Sequence, residues 1–188
     1  CHLKLNSRSI DYIEYYVNIR RVPLRANILD ATVDGLSNKI NPDNDYFIIT
    51  ESIIYITQLL VDLKKFIKST ESLQLTYTFE AHLNEVLDFI NSKTLHSLLE
   101  DPPEKTQDLS YNQINKLDNY FRVKEKDPFK NIMTIVYEID FLQSMATLVK
   151  LKEFSLPDYV NSTNPIFRVI DSFHPFLEQP VKNSFEFN

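Results

Sequence analysis

One glycine, Gly35, is all that this 188-residue chain contains. Glycine supplies the positive φ of tight turns and the close backbone approach of phosphate-cradling loops. Gly-rich phosphate loops and dinucleotide fingerprints are therefore excluded within the chain, as are two-residue Asn-Gly hairpins. A chain that changes direction without glycine is built from long helices, and its nine prolines mark where those helices stop. The expected fold class is mainly α, a multi-helix bundle with long helices and a short β segment at the C-terminus.

Between the prolines, apolar residues recur at three- and four-residue steps, the period of one helix face. Ile10, Ile13 and Val17 begin a first helix, and Leu29, Val33, Leu36 and Ile40 a second. Ile49, Ile53, Ile56, Leu60, Leu63 and Ile67 carry the most regular pattern. Isoleucine favours strands locally, but the run is too long for one strand and predicts a helix. A fourth helix is predicted from about Leu75 to Leu99 on Phe79, Leu83, Val86 and Ile90, ended by Asp101-Pro102-Pro103-Glu104, because proline removes a donor and clashes with the preceding turn. A shorter helix is predicted over about Leu109–Phe121. Asp127-Pro128 then reads as an N-cap with a first-turn proline, opening a helix on Ile132, Val136, Ile139, Leu142, Ala146 and Val149. After Pro157 the helical period is lost. Ile166–Ile170 reads as a strand, and Ser184–Phe187 as the start of another. The expected division is a helical domain over 1–160 and a second unit over 161–188.

Hydrophobic residues make up 43% of the chain, enough for a packed core, and the formal net charge is −6. An acidic surface repels the phosphate backbone, so tight nucleic-acid binding by this segment alone is not expected. The lone cysteine, Cys1, permits no internal disulfide, which fits a reducing, cytoplasmic setting. The most apolar stretch, Tyr46–Ile67, is interrupted by Glu51, Gln58 and Asp62, so no membrane span is expected. With no signal-peptide pattern and no initial Met, the chain reads as a piece of a longer protein.

Catalytic signatures are missing. His2, His82, His96 and His174 have no partner at metal-ligand spacing, and no Gly-x-Ser-x-Gly elbow occurs. Glu138 and Asp140, two apart, project from different sides of a helix and form a poor acid–base pair. No enzyme activity, catalytic residue or metal site is expected of the chain itself. Arg20, Arg21 and Arg25 cluster around Pro23. A phosphate or partner contact is one reading, and a solvated helix end supported by the helix dipole is the other. Lys64, Lys65 and Lys68 have the same helix-end reading.

The residues from Asp140 onward resemble the junction between helical core and ATPase domain in the MutS family of DNA mismatch repair proteins. Asp140-Phe141-Leu142-Gln143-Ser144-Met145-Ala146-Thr147-Leu148 is similar to the family's Asp-x-Leu-x-Ser-x-Ala-x-Leu helix. Pro157 stands where the family has a proline after that helix. His174-Pro175 is similar to its Arg-His-Pro, and Pro180-Val181-Lys182-Asn183 to the stretch before its phosphate-binding loop. The resemblance implies a core/lever segment of a dimeric, DNA-dependent ATPase. DNA would be held by other parts of the whole protein, and ATP and Mg²⁺ would bind past Asn188. Val181 and Asn183 would lie at the nucleotide's edge; Asp140, Ser144, Ala146, Pro157, His174 and Pro175 would form the structural motif. Ser144 and Ala146 are small enough to admit a neighbouring helix. The chain departs from the family at Phe173, where an arginine is usual, and at Val181, where an aromatic residue is. The Pro-Pro break leaves no room for an inserted clamp domain. A helical protein-interaction scaffold unrelated to DNA is the alternative.

Overall fold

A computed structural model of the chain describes residues 2–174 and 176–187. Among the described residues it is 64% helical, with seven α-helices and one two-stranded antiparallel sheet, the mainly α fold expected. The helices are α1 (Ser7–Asn18), α2 (Ile28–Ile40), α3 (Asn44–Thr70), α4 (Tyr77–Ile90), α5 (Lys93–Glu100), α6 (Tyr111–Asn119) and α7 (Lys126–Lys152), and the strands are β1 (Phe167–Ser172) and β2 (Asn183–Phe187). The chain divides into two compact units, residues 1–141 and 142–188, so α7 contributes to both.

In the first unit, α3 is the axis, and α1, α4, α5 and α6 all contact it. Its predicted stripe is the centre of the core: Ile49, Ile53, Ile56, Leu60 and Leu63 are fully buried. The segment Tyr46–Ile56, where strand preference competes most with helix, is helical. Burial on several sides explains why: Ser52 and Thr57 are also fully buried, and they close their hydroxyls onto the carbonyls of Tyr12 and Ile53. Side-chain caps open most of these helices. Asn6, Asn27, Asp43 and Thr76 each accept from a backbone N–H in the first turn of α1 to α4, and Ser110 and Gln113 form a reciprocal capping box on α6. Such caps satisfy donors that a helix leaves orphaned.

Three details differ from the sequence reading. The predicted helix Leu75–Leu99 is two helices, α4 and α5, broken at Asn91-Ser92. Short polar side chains there offer the backbone an alternative to the helix ladder, and the Ser92 hydroxyl is hydrogen-bonded to Tyr120 Oη at 2.9 Å. The break lets Leu95 turn fully into the core. Next, α6 does not end in a loop. It passes through a π-helical turn, Tyr120–Lys124, directly into α7, with Glu125 N donating to Tyr120 O at 2.8 Å. Asp127 and Pro128 therefore lie inside the first turn of α7, where proline's missing N–H costs nothing. Finally, the stripe on α2 points outward: Leu29 and Ile40 are 80% and 86% exposed. The face α2 buries holds Ala31 and Gly35 and packs on α6. A Cβ on Gly35 would fall deep inside van der Waals contact with the Tyr111 ring. The sole glycine thus serves a close helix crossing rather than a turn.

Positive φ is supplied by other residues, Glu153 and Asp171. Glu153 stands just past α7, the usual place of a C-terminal glycine, and Phe154 N donates back to Val149 O at 3.0 Å. Asp171 lies at the bulge between Val169 and Ser172, held by the Ser184 hydroxyl accepting from Asp171 N at 2.9 Å. In the hairpin Phe167 pairs with Phe187, Arg168 with Glu186 and Val169 with Phe185. Arg168 and Glu186 form an ion pair at 3.5 Å, and the rings of Phe167 and Phe185 are 6.1 Å apart.

By length and composition alone, α3 and α7 are apolar enough to cross a membrane, with mean hydropathies of 1.4 and 1.3 over their most apolar windows. In α3, 61% of that window is buried within the fold, as in a core helix; in α7 the share is 28%.

Candidate functional site

The residues singled out by resemblance fall in order along α7 and the C-terminal hairpin. Asp140, Ser144 and Ala146 lie on α7 and are exposed. In the second unit Leu142, Met145 and Leu151 are exposed as well, so the apolar stripe predicted for α7 is buried only through Ile132, Val136 and Ile139. Pro157 is exposed in the segment that follows. His174 comes two residues after β1, its ring 5.7 Å from that of Phe176, and its Nδ1 accepts from Phe176 N at 3.4 Å. Pro175 lies outside the described residues. Val181 is 78% exposed; Asn183 opens β2 opposite Ser172, and its side-chain amide donates to Val181 O at 3.2 Å. Phe173, where the resemblance would have an arginine, lies 5.2 Å from Phe154 and beneath the Lys182 ammonium at 6.0 Å. This triad joins the residues just past α7 to both arms of the hairpin.

The most tightly built polar cluster of the first unit lies elsewhere, at the π-helical turn. Asp118 is fully buried. Its carboxylate accepts from Arg122 Nε and Nη2, both at 2.6 Å, and from Leu24 N at 2.7 Å. Arg122 also donates through Nη1 to Arg21 O at 2.8 Å, and its guanidinium lies 5.3 Å from the centre of the Tyr16 ring. Burial opposes the charge on Arg122, but the hydrogen bonds and charge of Asp118, joined by Tyr16, together outweigh it and raise the guanidinium pKa. Burial, then the Asp118 charge, pushes the Tyr16 phenol well above its ordinary value. The sequence does show Asp118 and Arg122 at i,i+4 spacing. That spacing is commonplace on exposed helices, so nothing marked the pair as buried.

Beside this pair is a cavity of about 160 Å³. Arg21, Arg122, Lys126 and Lys130 line it, over a floor that includes Phe121 and Phe129, both 1% exposed. Arg21 pairs with Asp43; burial opposes the Asp43 charge, but the hydrogen bond and charge of Arg21 and the N–H groups of Asp45 and Tyr46 together lower its pKa. Of the predicted arginine cluster, only Arg21 reaches this cavity. Arg25 is ion-paired to Asp30 at 3.7 Å. A larger recess of about 660 Å³ is bordered by Asp101, Glu104, Asp108 and Lys116. The Asp108 carboxylate there accepts from the backbone N–H groups of Glu104 and Lys105.

His82 and His96 sit on helix flanks beside carboxylates. His82 Nδ1 is 2.9 Å from Glu138 Oε2, and His96 is 3.4 Å from Glu100. Among the described residues no group of three or more His, Cys, Asp or Glu is placed to hold a metal ion. No protein-family model, no curated protein and no solved structure matches the chain.

Proposed function

We propose that this chain is the helical core and lever of a MutS-like, DNA-dependent ATPase, coupling DNA binding elsewhere in the protein to ATP turnover. One observation carries the reading. The motif residues occupy consecutive elements in the order the resemblance requires: Asp140 to Ala146 on a long helix, Pro157 in the connection, His174 after one strand, Asn183 opening its antiparallel partner. In this reading the whole protein is a cytoplasmic homodimer, with ATP and Mg²⁺ held by a phosphate loop following the hairpin. The chain itself is then a transmitter with no catalytic residue of its own. α7 runs without interruption through the boundary between the two units, and a continuous helix can carry a displacement along its length.

The test is ATP hydrolysis by the natural full-length protein, with and without duplex DNA. DNA is expected to change the rate, and Ser144→Phe is expected to abolish that change while leaving basal hydrolysis and DNA binding in place. Ser144 is exposed on α7, so the substitution should leave the melting temperature of the chain near the parent's. A DNA response in Ser144→Phe equal to the parent's removes α7 as the coupling element. The absence of any Gly-x-x-x-x-Gly-Lys-Ser/Thr motif from the full-length protein removes the ATPase reading altogether.

A helical protein-interaction scaffold unrelated to DNA is the second reading, favoured by the outward stripe Leu29, Val33, Leu36 and Ile40 on α2. It requires a full-length protein that neither hydrolyses ATP nor binds DNA.

A further inference from the structure

The cavity beside the π-helical turn has features that the proposed function does not use. Its cations come from three places: Arg21 from the α1–α2 connection, Arg122 from the π-helical turn, and Lys126 and Lys130 from α7. Arg21 and Arg122 are each neutralised by a carboxylate, Asp43 and Asp118. Lys126 and Lys130 form no ion pair among the described residues. They are four apart on one helix face, where like charges repel, and they lie at the start of α7, where the helix dipole also disfavours cations. The chain as a whole carries −6, so this excess of positive charge runs against the general composition.

A bound anion would relieve both unfavourable terms at once. The surroundings suit one: Phe121 and Phe129 form a buried floor of low polarity, which strengthens any charge interaction above it. Arg122 is held rigid by Asp118 and by Arg21 O, so its ordering cost is already met by the fold. The volume of about 160 Å³ admits a small oxyanion with accompanying water rather than an extended ligand. We propose that this cavity binds a phosphate-class dianion, either free orthophosphate or the terminal phosphate of a small molecule.

The experiment is a thermal melt and calorimetric titration of the chain with sodium phosphate, against sodium chloride at matched ionic strength. Ligand that binds only the folded state raises the melting point with concentration. At ten times the dissociation constant the expected rise is about 3–6 °C for a chain of this size. The double variant Lys126→Gln/Lys130→Gln should bind phosphate at least about five-fold more weakly, since two close charges are lost. Lys64→Gln/Lys68→Gln removes two exposed lysines at the same spacing on α3 and should bind like the parent. Adenosine monophosphate separates the two sources. A response equal to or above that of orthophosphate assigns the site to phosphate esters, and a response to orthophosphate alone assigns it to the free anion. The proposal is overturned if chloride reproduces the shift, if the two double variants behave alike, or if neither phosphate compound shifts the melt. Binding of duplex DNA without any response to phosphate also overturns it.

Discussion

Removing one member of the Asp118–Arg122 pair should cost far more than removing both. Asp118 is fully buried, and its carboxylate accepts three hydrogen bonds, two from Arg122 and one from Leu24 N. The Arg122 side chain is only 7% exposed. Asp118→Leu would strand a buried guanidinium and orphan the Leu24 N–H. Breaking one side of a buried pair costs about 3–5 kcal/mol, and an unsatisfied backbone donor about 1–3 kcal/mol more. Arg122→Met would strand the carboxylate instead, at about 3–5 kcal/mol. In Asp118→Leu/Arg122→Met neither charge is left, so the loss should fall to about 1–3 kcal/mol, mostly the Leu24 donor. The cycle would thus show a coupling of several kcal/mol, measured by urea unfolding followed by circular dichroism with the slope checked for constancy. Native stabilities are about 5–15 kcal/mol, so a single variant could approach the unfolding threshold. Asp118→Asn, which keeps an acceptor for Leu24 N, provides the milder arm at an expected cost of about 2 kcal/mol. Losses in the double variant equal to the sum of the two singles, or single losses below about 1 kcal/mol, would refute the argument that these charges hold each other in the core.

Gly35→Ala gains about 1 kcal/mol of helix propensity but drives a methyl into the Tyr111 ring, so a net loss of up to about 2 kcal/mol is expected in chemical denaturation. Tyr46 is 4% exposed, and its buried hydroxyl has no hydrogen-bond partner; burial, then Tyr111 and the Asp34 charge, pushes its pKa up to about 12. A folded-state pKa above the unfolded value of about 10 means stability present below pH 10 and lost as pH rises from 10 towards 12. At about 1.36 kcal/mol per pKa unit the Tyr46 share is about 2–3 kcal/mol. Tyr46→Phe should match or exceed the parent's stability at pH 7 and lose less of it by pH 11, as read by urea unfolding at both pH values. Glu153→Gly should relieve the cost of a positive φ at the end of α7, about 1 kcal/mol, and slow amide exchange at Phe154.

Periodicity identified the helices because a four-three apolar repeat has few other uses. It did not say which face would be buried. On α3 the repeat and the buried face coincide, since neighbours surround that helix and Ile49 through Leu63 have nowhere else to lie. On α2 the same repeat points away from the fold, because Ala31 and Gly35 allow a closer crossing with α6 than Leu29 or Val33 could. Close backbone approach outweighed apolar area there. Small residues carry almost no signal in a hydropathy pattern, so that choice was invisible until Tyr111 was placed beside Gly35. The break at Asn91-Ser92 was hidden for a similar reason, since the Tyr120 hydroxyl that holds Ser92 lies 28 residues away.

The polar cluster was illegible on stronger grounds. Its ties join Asp118 to Leu24 and Arg122 to Arg21, separations of 94 and 101 residues, and no local spacing announces them. Arg21 stood out in the sequence as one of three arginines around Pro23, yet its setting depends on α7 folding back beside it. The π-helical turn decides that setting. A π turn holds one residue more than an α turn, so it shifts whatever follows by about 100°, roughly a quarter of a turn. Deleting one residue within Tyr120–Lys124 would restore α geometry and turn Phe129, Ile132 and Val136, all now buried, away from the core they fill. It would also withdraw Lys126 and Lys130 from the cavity beside Arg122. The same extra residue therefore seats the apolar face of α7 and assembles the cationic pocket.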